Sequence, residues 1–271
     1  MLIRYANEKD KTQLKAIWQS CFSDSEKFVK WNFENNFAPE NAMVVEVDGK
    51  IVSNLHLIPY DVVLKGKALK GIYVSAVATL KEERGKGYAS HLLNAALDEI
   101  SKKGADIAFL VPAIKGYYDR FGFFEIAPKV EYIMEREIPS FVEDEVLCPA
   151  AEDAHLIYLS AMKDKELYLK RSLKDMELII SDLTENTGGE ILMPFFGEAY
   201  AMFKEFEDKI KVFELLGENE DAEEKTLFEL SKYGKPLEFE FPCVMVKLLN
   251  KNLRAEDFIL PRENIYFNLI L

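Results

Sequence analysis

Ile72-Tyr-Val-Ser-Ala-Val-Ala-Thr79 is followed by Arg84-Gly85-Lys86-Gly87-Tyr88-Ala89 and then by Leu92, Leu93, Ala96, Leu97 and Ile100 at helical spacing. The first run is rich in β-branched and aromatic residues and reads as a strand, and the third reads as an amphipathic helix that Gly104 closes. Between them lies a junction suited to an anion. Two glycines let the backbone come close to a ligand, the helix start presents unpaired N–H groups and positive dipole, and Arg84 and Lys86 add charge. A coenzyme that carries a diphosphate is implied.

Outward from this junction the chain reads as two domains, the prior for 271 residues. Asn7 caps a helix that runs to about Phe22, and a second helix spans about Ser25 to Asn35. Strands at Met43–Val47, Ile51–Ile58, Asp61–Leu64 and Ile72–Thr79 follow, with Asp48-Gly49 and Lys65-Gly66 as tight turns. Beyond the long helix, Asp106–Val111 reads as a strand, Lys115–Phe121 as a short helix ended by Gly122, and Val130–Arg136 as another strand. The first domain is expected at 1–136 and a hydrophilic linker at 137–153, where Pro139 and Pro149 stand. A second α+β domain is expected at 154–271, with helices near Ala154–Met162, Leu173–Leu183 and Ala222–Lys232. Its strands fall near Ile191–Met193, Ala199–Phe206, Lys211–Leu215 and Leu237–Phe241. This order partly repeats the first domain, as a degenerate duplication would.

Composition narrows the class. Apolar residues are 49% and charged ones 30%, a globular balance. No apolar run approaches the roughly 20 residues of a membrane span, and Met1-Leu-Ile-Arg-Tyr lacks the regions of a signal peptide, so the cytoplasm is expected. Cys21, Cys148 and Cys243 are far apart and the three histidines are scattered, which suggests neither a disulfide frame nor a metal. The net charge of −13 divides into +2 over residues 1–130 (18 basic, 16 acidic) and −15 over 131–271 (16 basic, 31 acidic). An acidic surface repels nucleic acid and suits a cationic small molecule, although solubility alone explains it as well. Self-association into a homo-oligomer stays open.

Arg84, Gly87 and Ala89 fit the acetyl-CoA signature Q/R-x-x-G-x-G/A, and this region resembles that of the GNAT superfamily of N-acetyltransferases. A companion block, Gly116-Tyr117-Tyr118-Asp119-Arg120-Phe121-Gly122-Phe123, resembles the superfamily's aromatic Y-x-x-F-G-[FY] segment. The resemblance covers about residues 1–136. It implies an α/β (α+β) GNAT fold, whose mixed sheet splays between its fourth and fifth strands, followed here by a second, degenerate GNAT-like domain. It also implies acetyl-CoA as cosubstrate and Tyr118 as the proton donor to the departing thiolate. The two-part layout is similar to the branch of enhanced intracellular survival-type aminoglycoside acetyltransferases. In that branch the terminal carboxylate acts as base, a role that would fall here to Leu271.

The chemistry assigns the remaining roles. A splay would leave N–H and C=O groups of Val77 and Thr79 open to pantetheine amides, with the Val77 amide on the thioester oxygen. Coenzyme binding is thus expected from Val77, Ala78, Thr79, Arg84, Gly85, Lys86, Gly87, Tyr88, Ala89 and Ser90. No Cys lies in either motif, so direct transfer to a primary amine in a ternary complex is expected. Base candidates are Asn54, His56 and the Leu271 carboxylate, or a water chain. Glu82 and Glu83 are expected to face solvent. In the second half five carboxylates follow Leu216-Gly217, at Glu218, Glu220, Asp221, Glu223 and Glu224, and disfavour a diphosphate there. That half is expected to shape an acceptor pocket or simply to stabilise the first. A non-catalytic acetyl-CoA sensor or scaffold is the alternative. A dinucleotide site fails because antiparallel strands precede Gly85-x-Gly87-x-x-Ser90, and a P-loop fails for want of G-x-x-x-x-G-K-[ST].

Overall fold

The computed structural model describes residues 1–136, 146–194 and 197–267. In chain order its main elements are β1 (Leu2–Tyr5), α1 (Lys11–Cys21), α2 (Glu26–Asn35), β2 (Ala42–Val47), β3 (Lys50–Leu64), β4 (Lys67–Thr79), α3 (Tyr88–Lys102), β5 (Ile107–Leu110) and β6 (Phe124–Ala127). They continue with β7 (Val130–Met134), β8 (Val146–Leu147), α4 (Ala151–Ala161), β9 (Leu167–Lys170), α5 (Leu173–Ser181), β10 (Glu190–Pro194), β11 (Ala199–Glu205) and β12 (Ile210–Gly217). The last are α6 (Glu220–Ser231), β13 (Leu237–Phe241), β14 (Val244–Leu248) and β15 (Ile265–Tyr266).

The chain forms two units. One comprises Met1–Ile126 with Val244–Ile259, and the other Ala127–Cys243 with the residues after Ile259. The units are therefore not consecutive stretches. In place of a boundary at 136, β7 pairs with β13 of the second unit, and β14 returns to pair with β5 of the first. A single-sequence reading stops at local periodicity, whereas these pairings join residues more than a hundred positions apart.

The first unit's sheet has the order β1-β2-β3-β4-β5-β14-β6. Strands β1 to β4 are antiparallel, and α3 carries the chain over to β5, which lies parallel to β4. The helix earns its place through Leu92, Leu93, Ala96, Leu97 and Ile100, all buried. Each large side chain contributes about 1.5–3 kcal/mol by leaving water. On α1, Leu14 and Ile17 do the same, in a core with Val29, Phe33, Val44 and Ile51. Asn7 does cap the chain's first helical turn, in a capping box with Asp10, although that turn is 3-10 and α1 proper begins at Lys11. The runs 51–58 and 61–64 are one strand, because Pro59 sits within β3 opposite Ile72 without breaking it. The short helix expected over 115–121 reduces to a single 3-10 turn, Asp119–Phe121, before Gly122.

The second unit's sheet runs β7-β13-β12-β11-β10-β8. Here α6 joins β12 to the parallel β13, and β7 lies antiparallel beside it. This repeats the β4-α3-β5-β14 arrangement strand for strand. Even the parallel register matches: three pairs, Gly71–Ile107 to Tyr73–Phe109 in one unit and Ile210–Leu237 to Val212–Phe239 in the other. The duplication legible only as an order of elements is thus a duplication of topology.

Within the second unit's core, Arg171 and Glu214 form a buried ion pair at 2.8 Å. Tyr200 Oη donates to Glu214 Oε1 at 2.5 Å and Tyr266 Oη to Glu214 Oε2 at 2.8 Å, while the guanidinium lies 4.6 Å from the Tyr158 ring centre. Burial, reinforced by the Glu214 charge, pushes both tyrosines far above the ordinary phenol range, so they remain donors. The strand β15 that carries Tyr266 pairs in parallel with β9.

Candidate functional site

Strand β4 reaches Thr79, but its pairing with β5 ends at Tyr73–Phe109. Past that point the two parallel strands part. Gly71 sits where they still touch: a Cβ there would lie 2.6 Å from Val62 Cγ2 and 3.1 Å from Phe109 Cε1. On its other side β4 stays paired with β3 through a bulge, in which Leu55 alone stands between the Asn54–Ala78 and His56–Ser75 pairs while β4 supplies Ala76 and Val77. Ala76 takes φ +50°, a left-handed conformation uncommon for a residue with a Cβ. Asn54 Nδ2 fastens the bulge by donating to the Ala76 carbonyl at 3.0 Å. Asn54 was a candidate base by sequence; its amide has no basic lone pair at nitrogen and its contact is structural.

The expected opening is therefore there, with one difference. The Thr79 carbonyl accepts from Arg84 Nε at 3.1 Å and from Cys21 Sγ at 3.5 Å, and the Ala78 carbonyl accepts from Ser53 Oγ at 2.7 Å. Thr79 C=O is not open for pairing, because the Arg84 side chain folds back over the loop. Val77, at the bulge, has no β3 partner in the register.

The loop itself is built by two left-handed glycines, Gly85 at φ +81° and Gly87 at φ +82°. Gly87 is the N-cap residue of α3 and gives the helix no side-chain cap. Among the described residues no acceptor takes the N–H groups of Gly85, Lys86, Gly87, Tyr88, Ala89 or Ser90; the first bonded amide is His91 N–H, to the Gly87 carbonyl at 3.0 Å. This is a row of donors at the positive end of a 15-residue helix, and it fits an anion. The two cations of the loop are engaged elsewhere. Lys86 Nζ pairs with Glu83 at 2.8 Å, and Arg84 turns to Thr79. Glu82 does face solvent and pairs with Lys50 at 3.2 Å, whereas Glu83 is half-buried by its pairing with Lys86.

The aromatic block supplies the second side. Tyr118 is 8% exposed, with its ring 5.0 Å from that of Tyr117 and 5.9 Å from that of Phe123. Burial, with the neighbouring Tyr117 and Tyr73 hydroxyls, pushes its pKa up to about 12, so it holds its proton across the physiological range. Its turn is locked from β14, where Lys247 Nζ donates to the Phe121 carbonyl at 2.7 Å. Sequence reasoning missed Lys247, and also Ser53 and Asn54 as the residues that shape β4. The available signals were a lone polar residue in the apolar strand Val244–Leu248 and an adjacent polar pair, Ser53-Asn54, within the apolar run of β3.

His56 lies across β3 from Ser75, enclosed by the rings of Trp18, Phe33 and Phe37 at 5.7–6.1 Å. Its Nε2 has no hydrogen-bond partner, and burial pulls its pKa down to about 4. A histidine this hard to protonate is a weak base at neutral pH. Because its folded value lies below the ordinary 6.5, its contribution to stability is complete above about pH 6.5 and is lost as pH falls towards 4. The loss is about 1.4 kcal/mol per pH unit, about 3 kcal/mol in all. His56→Phe is expected to flatten the stability profile between pH 7 and 4, measured by denaturant unfolding; an unchanged slope would refute the assignment. Leu271, the other candidate base, lies outside the described residues.

The corresponding loop of the second unit is closed. Gly217 N–H donates to Glu223 Oε1 at 3.2 Å, Ala222 N–H to Asn219 Oδ1 at 3.0 Å and Glu218 N–H to the Glu198 carbonyl at 2.8 Å. Its own side chains fill the role that an anion would take. Among the described residues no group of three or more His, Cys, Asp or Glu side chains could hold a metal, and no helix is long and apolar enough to cross a membrane.

Residues 2–127 match the family model described as an acetyltransferase (GNAT) domain. Among solved structures the chain is similar to a GCN5-related N-acetyltransferase from Anabaena variabilis, with 15% identity and a TM-score of 0.76 over 92% of this chain and 73% of that one. It is similar to Eis1 from Mycobacterium abscessus, with 13% identity and a TM-score of 0.71 over 92% and 74%. It is also similar to a putative acetyltransferase from Pyrococcus horikoshii, with 17% identity and a TM-score of 0.61 over 95% and 92%. At these identities the likeness is one of fold, and it spans both units. No curated protein matches the chain.

Proposed function

We propose that the first unit, whose residues 2–127 match the acetyltransferase (GNAT) domain, moves an acetyl group from acetyl-CoA directly to the primary amine of a small acceptor in a ternary complex. The observation that carries this reading is the conjunction of an opened β4 edge with six unbonded amides, Gly85 to Ser90, one turn away. Acetyl-CoA, as cosubstrate, supplies an activated thioester. The amides from Gly85 to Ser90 hold its diphosphate, and the open edge of β4 holds its pantetheine arm. At the bulge, the Val77 amide is suited to the carbonyl oxygen, where negative charge develops as the amine nitrogen attacks. The carbon–sulfur bond breaks and the sulfur takes the proton of the Tyr118 hydroxyl. Water carries away the amine proton, in keeping with the poor basicity of His56.

The test is thiol release from acetyl-CoA with a panel of small amines, run on the wild type and on Tyr118→Phe. The variant is expected to lose at least tenfold in kcat with little change in KM for acetyl-CoA. Unchanged turnover would remove Tyr118 from the mechanism, and no release with any amine would count against the whole reading.

A further inference from the structure

Arg120 belongs to the aromatic block, yet its side chain reaches the start of α3. Its Nη2 donates to Ser90 Oγ at 3.0 Å, and Ser90 is the third residue of that helix, within the row of unbonded amides. Two rings lie against the guanidinium, Tyr117 at 4.3 Å and Phe121 at 4.9 Å from its central carbon. Arg120 is exposed, and among the described residues it has no carboxylate partner. The contrast with the loop's own cations is the point. Lys86 is neutralised by Glu83 and Arg84 is spent on the Thr79 carbonyl, so the charge that sequence placed in the loop is committed elsewhere.

We propose that Arg120 is the cation that grips the coenzyme's diphosphate, supplied from the Tyr118 block and not from the glycine loop. The proposal rests on the reading of α3's N-terminus as the coenzyme site. A guanidinium already resting against two rings loses little freedom on binding and keeps several N–H groups for phosphate oxygens. It also ties the element that carries Tyr118 to the element that anchors the coenzyme, since only one residue separates Tyr118 from Arg120 in the chain.

Calorimetry on the full chain tests this with CoA, dephospho-CoA and phosphate-free pantetheine. Arg120→Met is expected to weaken CoA and dephospho-CoA alike by about tenfold or more, to leave pantetheine unaffected, and to lower the salt dependence of CoA binding. Arg120→Lys should recover part of the loss. Wild-type affinity in Arg120→Met would overturn the assignment, and so would an equal loss for pantetheine. A loss confined to CoA would move the contact to the 3′-phosphate and overturn the diphosphate reading. Equal losses in the Met and Lys variants together with lowered melting temperatures would mark a packing role and also overturn it. If the wild type itself gave no heat with CoA, the coenzyme reading would fall; binding by the wild type that Arg120→Met leaves intact would sink the Arg120 proposal alone.

Discussion

Gly87→Glu is expected to weaken CoA by more than a hundredfold, on the order of 3 kcal/mol or more, while the protein stays folded. Three effects act together. The left-handed φ of +82° costs a residue with a Cβ about 1–2 kcal/mol. The new carboxylate stands at the N-cap of α3, where it repels a diphosphate. Most importantly, it can accept from the amides that follow, as Asn219 at the N-cap does from Ala222 N–H in the second unit, so the site would be filled from within. Acidic groups at a helix start are stabilising by about 0.3–1 kcal/mol, which offsets part of the strain. Space is not limiting, since a Cβ at Gly87 meets only His91 ring atoms at 3.6 Å. Calorimetry and a melting curve separate the effects, with Gly87→Ala as the control for strain alone. Affinity retained in the glutamate variant would show that these amides do not hold the coenzyme.

Glu214→Ala should cost about 3–5 kcal/mol of stability, the usual loss when one member of a buried pair is removed. The change strips Arg171 of its carboxylate inside the core and takes the acceptor from Tyr200 and Tyr266 together. At roughly 2–4 °C per kcal/mol for a unit of this size, the melting temperature of the second unit should fall on the order of 10 °C. Because the pair itself gains little over an apolar core, Arg171→Met with Glu214→Leu should recover much of the loss. A melting temperature within a degree or two of wild type in Glu214→Ala would show that the network contributes nothing to holding Tyr266 and β15 in place.

The glycine loop was legible because it is local. Strand, Gly85, Gly87 and helix follow one another within thirty residues, and each is set by nearest-neighbour preferences: left-handed φ at the glycines, an apolar stripe on α3, no side-chain cap at its start. The Tyr118 block was recognisable for the same reason, although its helical spacing overstated a turn that Gly122 ends early. His56 and Asn54 misled as base candidates, since nothing local tells that three rings close around one and that the other fastens a bulge. The Arg171–Glu214 pair joins residues 43 apart and was equally silent.

By itself the sequence determined a βα junction suited to an anion, an aromatic block after it, and a repeated order of elements, because all three are written in short-range spacing and backbone preference. Tertiary structure alone decided which strands complete each sheet. It set β7 beside β13 and β14 beside β5, brought Lys247 to the carbonyl of Phe121, and turned Arg84 away from the loop while Arg120 turned towards it. Strand pairing depends on which edges are open once the rest has folded, and a side chain's partner depends on which charges have already been taken.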